Sequence, residues 1–179
     1  LFPYTTLFRS LGGYSGVVSD QSAIQFKMLN QSKGPAMWSP RAQSDRMLFA
    51  KKWRDALEQT QNLDFYQDTI KDVIVKSGKI EGVVTSLGIP IKSKCVVLTN
   101  GTFLNGLIHI GEKNYGGGRA GEKPSTGLTH SLEKLGFVSG RMKTGTPPRV
   151  DGRSLNYDLM EEQAGDKKPA KFSYSPTTP

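Results

Sequence analysis

Residues 72–98 read DVIVKSGKIEGVVTSLGIPIKSKCVVL, and this stretch decides the fold class. It contains short runs rich in Val and Ile, separated by Ser77-Gly78 and Leu87-Gly88. Branched apolar residues favour strands, whereas a small residue followed by glycine favours a tight turn, and Ser77-Gly78 suits a hairpin. The pattern therefore predicts a β-meander over residues 72–98.

The last run of this stretch, Cys95–Leu98, is apolar on both faces, which is typical of a strand buried in a layered α/β core. It leads directly into a small turn that contains glycine, and such a turn lets the backbone pass close to a bound dinucleotide. We therefore predict that Thr99, Gly101 and Thr102 bind a cofactor. An ordinary antiparallel sheet with a terminal turn is the alternative. Because apolar burial disfavours the reactive thiolate, Cys95 is predicted to be structural.

The region before the meander is predicted to be a structured loop followed by a helix. Gly34-Pro35 and Ser39-Pro40 break any long element within residues 20–46. A helix is expected over residues 41–59, because apolar residues recur on one face and Ser39 can cap it.

The region after the meander is predicted to contain two further helices. The first spans residues 125–136, with Ser125 as its cap and Gly136 at its end. The second is short, covers residues 155–163 and is capped by Ser154.

Gly116, Gly118 and Gly121 match the G-x-G-x-x-G pattern of dinucleotide-binding proteins. A true fingerprint follows a buried strand and leads straight into a helix, whereas Glu122-Lys123-Pro124 follows here. We therefore interpret this run as a flexible glycine loop.

Charge favours a polyanionic partner. The chain has 24 Lys plus Arg against 16 Asp plus Glu, a formal charge of +8. Cations on loops stiffened by glycine and proline lose little entropy on binding phosphate, so we predict tRNA or phosphate contacts at Lys33, Arg41, Arg46, Arg119, Lys143 and Arg149. A solvated basic surface is the alternative. For Trp38, an interfacial or core position is favoured over stacking on a base or a flavin.

Several classes of function are disfavoured by the same composition. A single cysteine excludes an intramolecular disulfide and a multi-cysteine zinc site, and the two histidines lack partners at metal-ligand spacing, so no metal site is predicted. No apolar run approaches the length needed to cross a bilayer, so no membrane partner is expected.

Four motifs, in order, resemble the MnmG/GidA family of bacterial flavoproteins. They are IQFKMLNQSKGPAMWSPRAQSDR, VVLTNGTFLNGLIHIG, GGGRAGEKPS and GRMKTGTPPRVDGR. The resemblance implies an α/β chain, namely a partial FAD-binding fold of the glutathione-reductase type with the start of an inserted α/β subdomain. It also implies that Ile70 and Ser125 contact FAD.

The activity implied by this resemblance is the addition of a carboxymethylaminomethyl group to C5 of the wobble uridine (U34) of tRNA. FAD would be bound, with NADH and methylenetetrahydrofolate as co-substrates. A homodimer, a partner GTPase of the MnmE type and a cytoplasmic location are implied as well. Two alternatives stay open: a folate- and FAD-dependent tRNA uridine-5-methyltransferase acting on the T-loop, and a non-enzymatic RNA-binding chain.

The resemblance further implies that the chain is an internal piece of a longer protein of this family. Residues 1–10 resemble a translated sequencing adapter and are interpreted as a non-native leader. Residues 11–102 would be a partial FAD-binding domain, residues 103–164 the inserted subdomain with its basic loops, and residues 165–179 a linker rich in Pro, Ser, Thr and Lys. The family's catalytic cysteines have no counterpart here, so the chain alone is expected to be inactive, poorly stable and weak in FAD binding.

Overall fold

The structure is a computed structural model that describes residues 13–145 and 150–174. The chain forms two compact units. The first unit comprises Leu1–Asp64 and Arg149–Pro179, and the second comprises Phe65–Pro148. Both contain antiparallel strands and helices, which confirms the predicted mixed α/β class. The predicted leader, residues 1–10, lies outside the described residues, and the predicted functional division at residues 102 and 164 stays a prediction.

Among the described residues of the first unit, helix α1 (Ser15–Ser22) comes first, and the antiparallel strands β1 (Ala23–Leu29) and β2 (Ser39–Ser44) follow. Two 3-10 turns, Gln31–Lys33 and Pro35–Met37, connect the strands. The prediction of a loop without long elements over residues 20–46 is therefore wrong. The two prolines are tolerated because Pro35 starts a turn and Pro40 lies in a strand of a two-stranded sheet, where each strand has a free edge.

Helix α2 (Arg46–Glu58) begins five residues later than the predicted start at residue 41. Ser39 is not its cap, because Ser39 is already paired with Leu29 across the β1–β2 hairpin. The cap is Asp45, whose carboxylate accepts the N–H of Leu48 at 2.8 Å.

The tail after residue 164 contains no helix or strand among its described residues, yet it packs against helix α1 and strand β1. The Asp20 carboxylate accepts the N–H groups of Phe172 and Ser173 at 2.7 and 2.8 Å. The rings of Phe26 and Phe172 meet edge to face, with centroids 5.7 Å apart. The predicted linker is thus held against its own unit at residues 172 and 173, because Asp20 and Phe26 supply a polar and an apolar partner.

In the second unit, strands β3 (Ile70–Lys76), β4 (Lys79–Thr85) and β5 (Pro90–Lys92) form an antiparallel meander. Ser77 and Gly78 have φ angles of 48° and 74°, so they form the predicted hairpin turn. The prediction of a meander over residues 72–98 is confirmed as far as residue 92, and the first strand begins two residues earlier, at Ile70.

The Cys95–Leu98 run does not form the predicted buried strand. No strand or bridge includes these residues, Cys95 is exposed, and Val97 is 84% exposed. A strand requires a neighbour for its backbone hydrogen bonds, and none of the described strands pairs with this run. The interpretation of Cys95 as a buried structural residue fails with the strand.

After residue 98 the chain folds into a small hairpin and a helix. Strands β6 (Leu107–Ile110) and β7 (Lys113–Gly116) pair antiparallel. The glycine run that follows leads into turns and bridges instead of a helix, which agrees with its interpretation as a loop.

Helix α3 (Leu128–Lys134) packs on β3 and is shorter than predicted. Its N-cap is Gly127 and no side chain caps it, so the prediction that Ser125 caps this helix is wrong. Gly136, at φ 92°, follows the helix, and its N–H donates to Glu133 O as expected for a helix end.

The predicted helix over residues 155–163 is also wrong. The structure has two 3-10 turns instead, Gly152–Ser154 and Tyr157–Leu159. The side chain of Asn156 accepts the N–H of Asp158 and the side chain of Asp151 accepts that of Arg153, and such local bonds favour turns over a continuous helix.

Candidate functional site

A cleft of about 540 Å³ lies within the second unit. Its volume falls in the range of small-molecule sites, roughly 300–1,000 Å³. Three segments form its walls: the start of β3, the loop before β6 and the loop before α3. The lining residues are Thr69, Ile70, Val97, Leu98, Thr99, Asn100, Phe103, Leu104, Glu122, Lys123, Ser125 and Leu128.

Ser125 connects the three walls of this cleft. Its N–H donates to Phe103 O at 2.9 Å, and its own carbonyl accepts the N–H of Asn105 at 2.9 Å. Its hydroxyl donates to Ile70 O, at the first residue of β3, at 3.3 Å. Ser125 and Ile70 are both half-buried. Two residues predicted to contact the cofactor are therefore in direct contact, although they lie 55 positions apart in the sequence.

The three residues predicted from the turn after Leu98 have different environments. Thr99 lines the cleft and is exposed. Gly101, with φ 54°, allows the sharp turn beside the lining residue Asn100 but is not itself in the lining. Thr102 donates its hydroxyl to Gly118 O at 2.6 Å and is also outside the lining. The structure thus brings together Ile70, Thr99 and Ser125, with Gly101 and Thr102 in the adjoining loop.

Sequence reasoning missed the apolar wall of the cleft. A Cβ atom on Gly118 would lie 2.2 Å from the ring of Phe103, so the ring packs directly over this glycine. Leu104 and Leu128 complete the wall, and Leu128 is buried. The sequence did contain a signal for this wall, because Phe103 is an aromatic residue directly after the turn of residues 99–102.

The rim of the cleft carries both charge signs. Lys123 and Glu122 line it, and Glu122 forms an ion pair with Arg119 at 3.0 Å. Next to the lining residue Thr69, the Ser86 hydroxyl donates to the Asp68 carboxylate and lowers the pKa of that group. Asp68 is therefore ionised at neutral pH. Lys123 is the lining residue whose charge suits a phosphate.

The cations predicted to contact tRNA or phosphate are divided between the units. In the first unit, Lys33 ends a 3-10 turn, Arg41 lies on β2 and Arg46 starts α2, and all three are exposed. In the second unit, Arg119 is paired with Glu122, and Lys143 is exposed on an irregular segment. Arg149 lies outside the described residues.

No group of three or more His, Cys, Asp or Glu side chains within residues 13–145 and 150–174 is arranged to hold a metal ion. Among the helices in those same ranges, none has the length and apolar character required to span a bilayer.

The family model described as "Glucose inhibited division protein A" (GidA) matches residues 6–178, which is nearly the whole chain. The chain belongs to the GidA family. Curated GidA relatives include proteins from Flavobacterium johnsoniae and Cytophaga hutchinsonii, 70% and 67% identical over 169 residues. Both are named "tRNA uridine 5-carboxymethylaminomethyl modification enzyme MnmG". Each alignment covers 94% of this chain and 27% of the relative, so the chain spans about a quarter of its curated relatives.

Solved GidA structures share the fold. Two crystal forms of Aquifex aeolicus GidA are 44% identical to this chain, with TM-scores of 0.85 and 0.84. Each comparison covers 95% of this chain and 28% of the Aquifex chain. The family resemblance stated from the four motifs is therefore confirmed.

Proposed function

We propose that this chain supplies part of the FAD-binding site of an enzyme that adds the carboxymethylaminomethyl group to C5 of the wobble uridine of tRNA. The observation that carries the proposal is the meeting of Ile70, Thr99 and Ser125 at one cleft. The name of the relatives, which specifies a tRNA uridine modification, supports the choice of reaction.

The chemistry of the cleft fits a dinucleotide. Phe103, Leu104 and Leu128 give an apolar wall for a planar ring, while hydroxyl and amide groups of Thr99 and Asn100 offer hydrogen bonds. The Lys123 ammonium would hold a phosphate group. A cofactor site of this mixed composition orients its ligand through a few polar groups and excludes water along its apolar side.

In this proposal, Ser125 is a positioning residue because its hydroxyl fixes the Ile70 carbonyl at the edge of the cleft. When bound, FAD supplies the redox chemistry that a folate-derived carbon requires before it is joined to the uridine. NADH and methylenetetrahydrofolate are the co-substrates of the proposed enzyme. A homodimer that works with a GTPase of the MnmE type in the cytoplasm completes the proposal.

The proposal can be tested in a chimera, since the chain spans about 27% of its relatives. The 169-residue matching segment of the Flavobacterium johnsoniae protein is replaced by the aligned part of this chain. Flavin absorbance of the purified chimera measures cofactor retention, and mass spectrometry of tRNA nucleosides measures the product. We expect stoichiometric flavin and carboxymethylaminomethyluridine. A folded chimera that is colourless and leaves the uridine unmodified would contradict the proposal.

The role of the cleft is tested by two matched serine variants of that chimera. Ser125→Ala removes the bond to Ile70 O, and we expect FAD affinity to fall about 3- to 10-fold, the value of one hydrogen bond. Ser131→Ala is the control, because Ser131 on α3 donates to Asp72 and lies outside the cleft lining. Its FAD affinity should not change. Equal losses in both variants would show that the effect comes from stability and not from the cleft.

The same assay separates the alternative functions. A methyltransferase acting on the T-loop would give 5-methyluridine in place of the wobble product. A non-enzymatic RNA-binding chain would bind tRNA in a salt-dependent way without retaining flavin.

A further inference from the structure

The glycine run of residues 116–121 is a motif that the proposed cofactor cleft leaves unexplained. It matches the G-x-G-x-x-G pattern in the sequence, yet it leads into turns and bridges instead of a helix. A phosphate-binding fingerprint requires the start of a helix directly after its glycines. Gly118, the second glycine of the pattern, lacks a side chain for a different reason, which its surroundings in the second unit supply.

The ring of Phe103 lies over Gly118. A Cβ atom added to this glycine would be 2.2, 2.4 and 2.6 Å from the ring atoms Cδ1, Cγ and Cε1, which are neighbours in the ring. Such similar distances to neighbouring atoms place this position over the face of the ring and not at its edge. Non-bonded carbon atoms in good contact are about 3.5–4.0 Å apart, so no side chain fits between the ring and the Gly118 backbone.

The backbone on both sides of this contact is fixed by hydrogen bonds. The Thr102 hydroxyl donates to Gly118 O at 2.6 Å and so holds the glycine. Phe103 O accepts the N–H groups of Gly106 and Ser125, at 3.1 and 2.9 Å. Because neither backbone segment moves aside easily, an extra carbon atom on Gly118 has to be accommodated by rotation of the Phe103 ring.

The same ring forms part of the cleft. Phe103 is half-buried and lines the cleft with Leu104 and Leu128. A ring displaced from its place over Gly118 would therefore change the width of the cleft. Gly118 is not among the glycines with a positive φ angle, so what this position requires is space and not an unusual backbone conformation.

We propose that Gly118 is a positioning residue for the cofactor, because its lack of a side chain seats the Phe103 ring in the wall of the cleft and keeps the cleft open for a planar ring. The inference rests on the proposed function, in which the cleft holds part of FAD. It assigns this glycine of the run a role in shaping the apolar wall instead of binding phosphate. Thr102 takes part through Gly118, since its hydroxyl fixes the backbone of that glycine.

Titration of the flavin-free chimera with FAD tests this role. Gly118→Ala places a methyl group against the ring, which we expect to turn into the cleft. Cofactor binding then requires the ring to return to a crowded position. FAD affinity should therefore fall about 5- to 150-fold, the range that corresponds to overpacking by a small group. Unchanged affinity in Gly118→Ala overturns the proposal.

The matched control comes from the same glycine run. Gly116→Ala adds the same methyl group, but the nearest atoms to a Cβ there belong to the Pro124 side chain, at 3.4 and 3.8 Å, which is ordinary contact. Gly116 ends strand β7 and is not in the cleft lining. FAD affinity should stay the same in this variant. A loss equal to that of Gly118→Ala would mean that any added side chain in the run has this effect, and the proposal would be wrong.

A double variant separates the seating of the ring from general stability. Phe103→Leu removes the ring that the new methyl group would displace. In that background, Gly118→Ala should cause no further loss of FAD affinity, because two residues in contact are not expected to act additively. Additive losses contradict the proposal. If Gly118→Ala alone unfolds the chimera, recovery of the fold in the double variant supports the proposal, and continued unfolding contradicts it.

The position of the ring can be measured without the cofactor. Phe103 is replaced by 4-fluorophenylalanine in the flavin-free chimera, and the fluorine resonance reports the surroundings of the ring. We expect this resonance to move in Gly118→Ala and to stay in place in Gly116→Ala. The same resonance in the parent and in both variants would show that the ring does not depend on Gly118, which overturns the proposal.

These results are distinguishable from failure of the proposed function. If the chimera retains flavin and modifies tRNA while Gly118→Ala binds FAD normally, only this inference fails. If the chimera is colourless and leaves the uridine unmodified, the enzymatic proposal fails, and the fluorine resonance still decides whether Gly118 seats the Phe103 ring.

Discussion

The β1–β2 hairpin of the first unit and the cleft of the second unit are built in opposite ways. The hairpin and its two connecting 3-10 turns lie within residues 23–44, one continuous stretch of the chain. The cleft is formed by three segments between residues 69 and 128, which hydrogen bonds of Ser125 hold together. A hairpin depends mainly on turn chemistry, whereas a cleft of this kind depends on a supporting sheet. The cleft should therefore be lost more readily than the hairpin when packing is disturbed.

The largest effect that sharpens this comparison is expected from Gly82→Val. Gly82 lies on β4 with φ 152°, and a Cβ atom there would be 2.1 Å from Ile91 O on β5. Because backbone cannot move aside easily, we expect the free energy of unfolding of the second unit to fall by about 3 kcal/mol. In the chimera, the same substitution should abolish FAD binding. Hydrogen exchange should accelerate in β3–β5 and stay unchanged in β1–β2.

The control for Gly82→Val is Gly140→Ala. A Cβ atom on Gly140 meets nothing within 4 Å, so its substitution should leave the exchange rates unchanged. Equal acceleration in both units after Gly82→Val would contradict the view that the two regions depend on separate contacts.

A smaller effect is expected in the first unit from Asp20→Ala. This change leaves the N–H groups of Phe172 and Ser173 without the carboxylate that accepts them. We expect a loss of about 2 kcal/mol in local stability, measured by hydrogen exchange at residues 172 and 173. Asp158→Ala, which removes an exposed carboxylate of the same unit, should change stability by less than about 0.5 kcal/mol. Unaltered exchange in Asp20→Ala would mean that the other contacts of the tail hold it, among them the hydrogen bonds of Asp166 with Phe26 and Met28.

The smallest effect concerns the start of α2 and separates two assignments of its cap. Asp45→Ala should cost about 1 kcal/mol in thermal or urea unfolding, because Leu48 N–H loses its acceptor. Ser39→Ala should have almost no effect, since the Ser39 hydroxyl only bonds Met37 O on the surface. A larger loss in Ser39→Ala than in Asp45→Ala would restore the sequence-based cap.

Much of the second unit could be predicted from sequence, because its sheet follows local rules. The branched residues of 72–92 and the Ser77-Gly78 turn satisfy strand and hairpin preferences within a few positions of each other. Four motifs, one before the meander and three after it, identified the family. Of the residues that line the candidate cleft, the sequence pointed to Ile70, Thr99 and Ser125, but not to the apolar wall at Phe103 and Leu104. No local pattern specifies which apolar residues will face one another.

The errors in the first unit have a common cause. Ser39 and Pro40 suit a helix start by local preference, yet pairing with β1 places them in a strand and moves the helix start to Asp45 and Arg46. A pairing partner some ten residues away outweighed the local preference, as expected when propensities amount to less than about 1 kcal/mol per residue.

By itself the sequence determined the mixed α/β class, the meander, the family and the surplus of positive charge, because these follow from composition and from neighbouring residues. Only the tertiary structure decided that Cys95–Leu98 stays outside every described strand, that Ser125 bonds Ile70 instead of capping a helix, and that the tail packs on Asp20 and Phe26. Each of these depends on whether a group distant in the chain arrives to complete a hydrogen bond or to cover an apolar face.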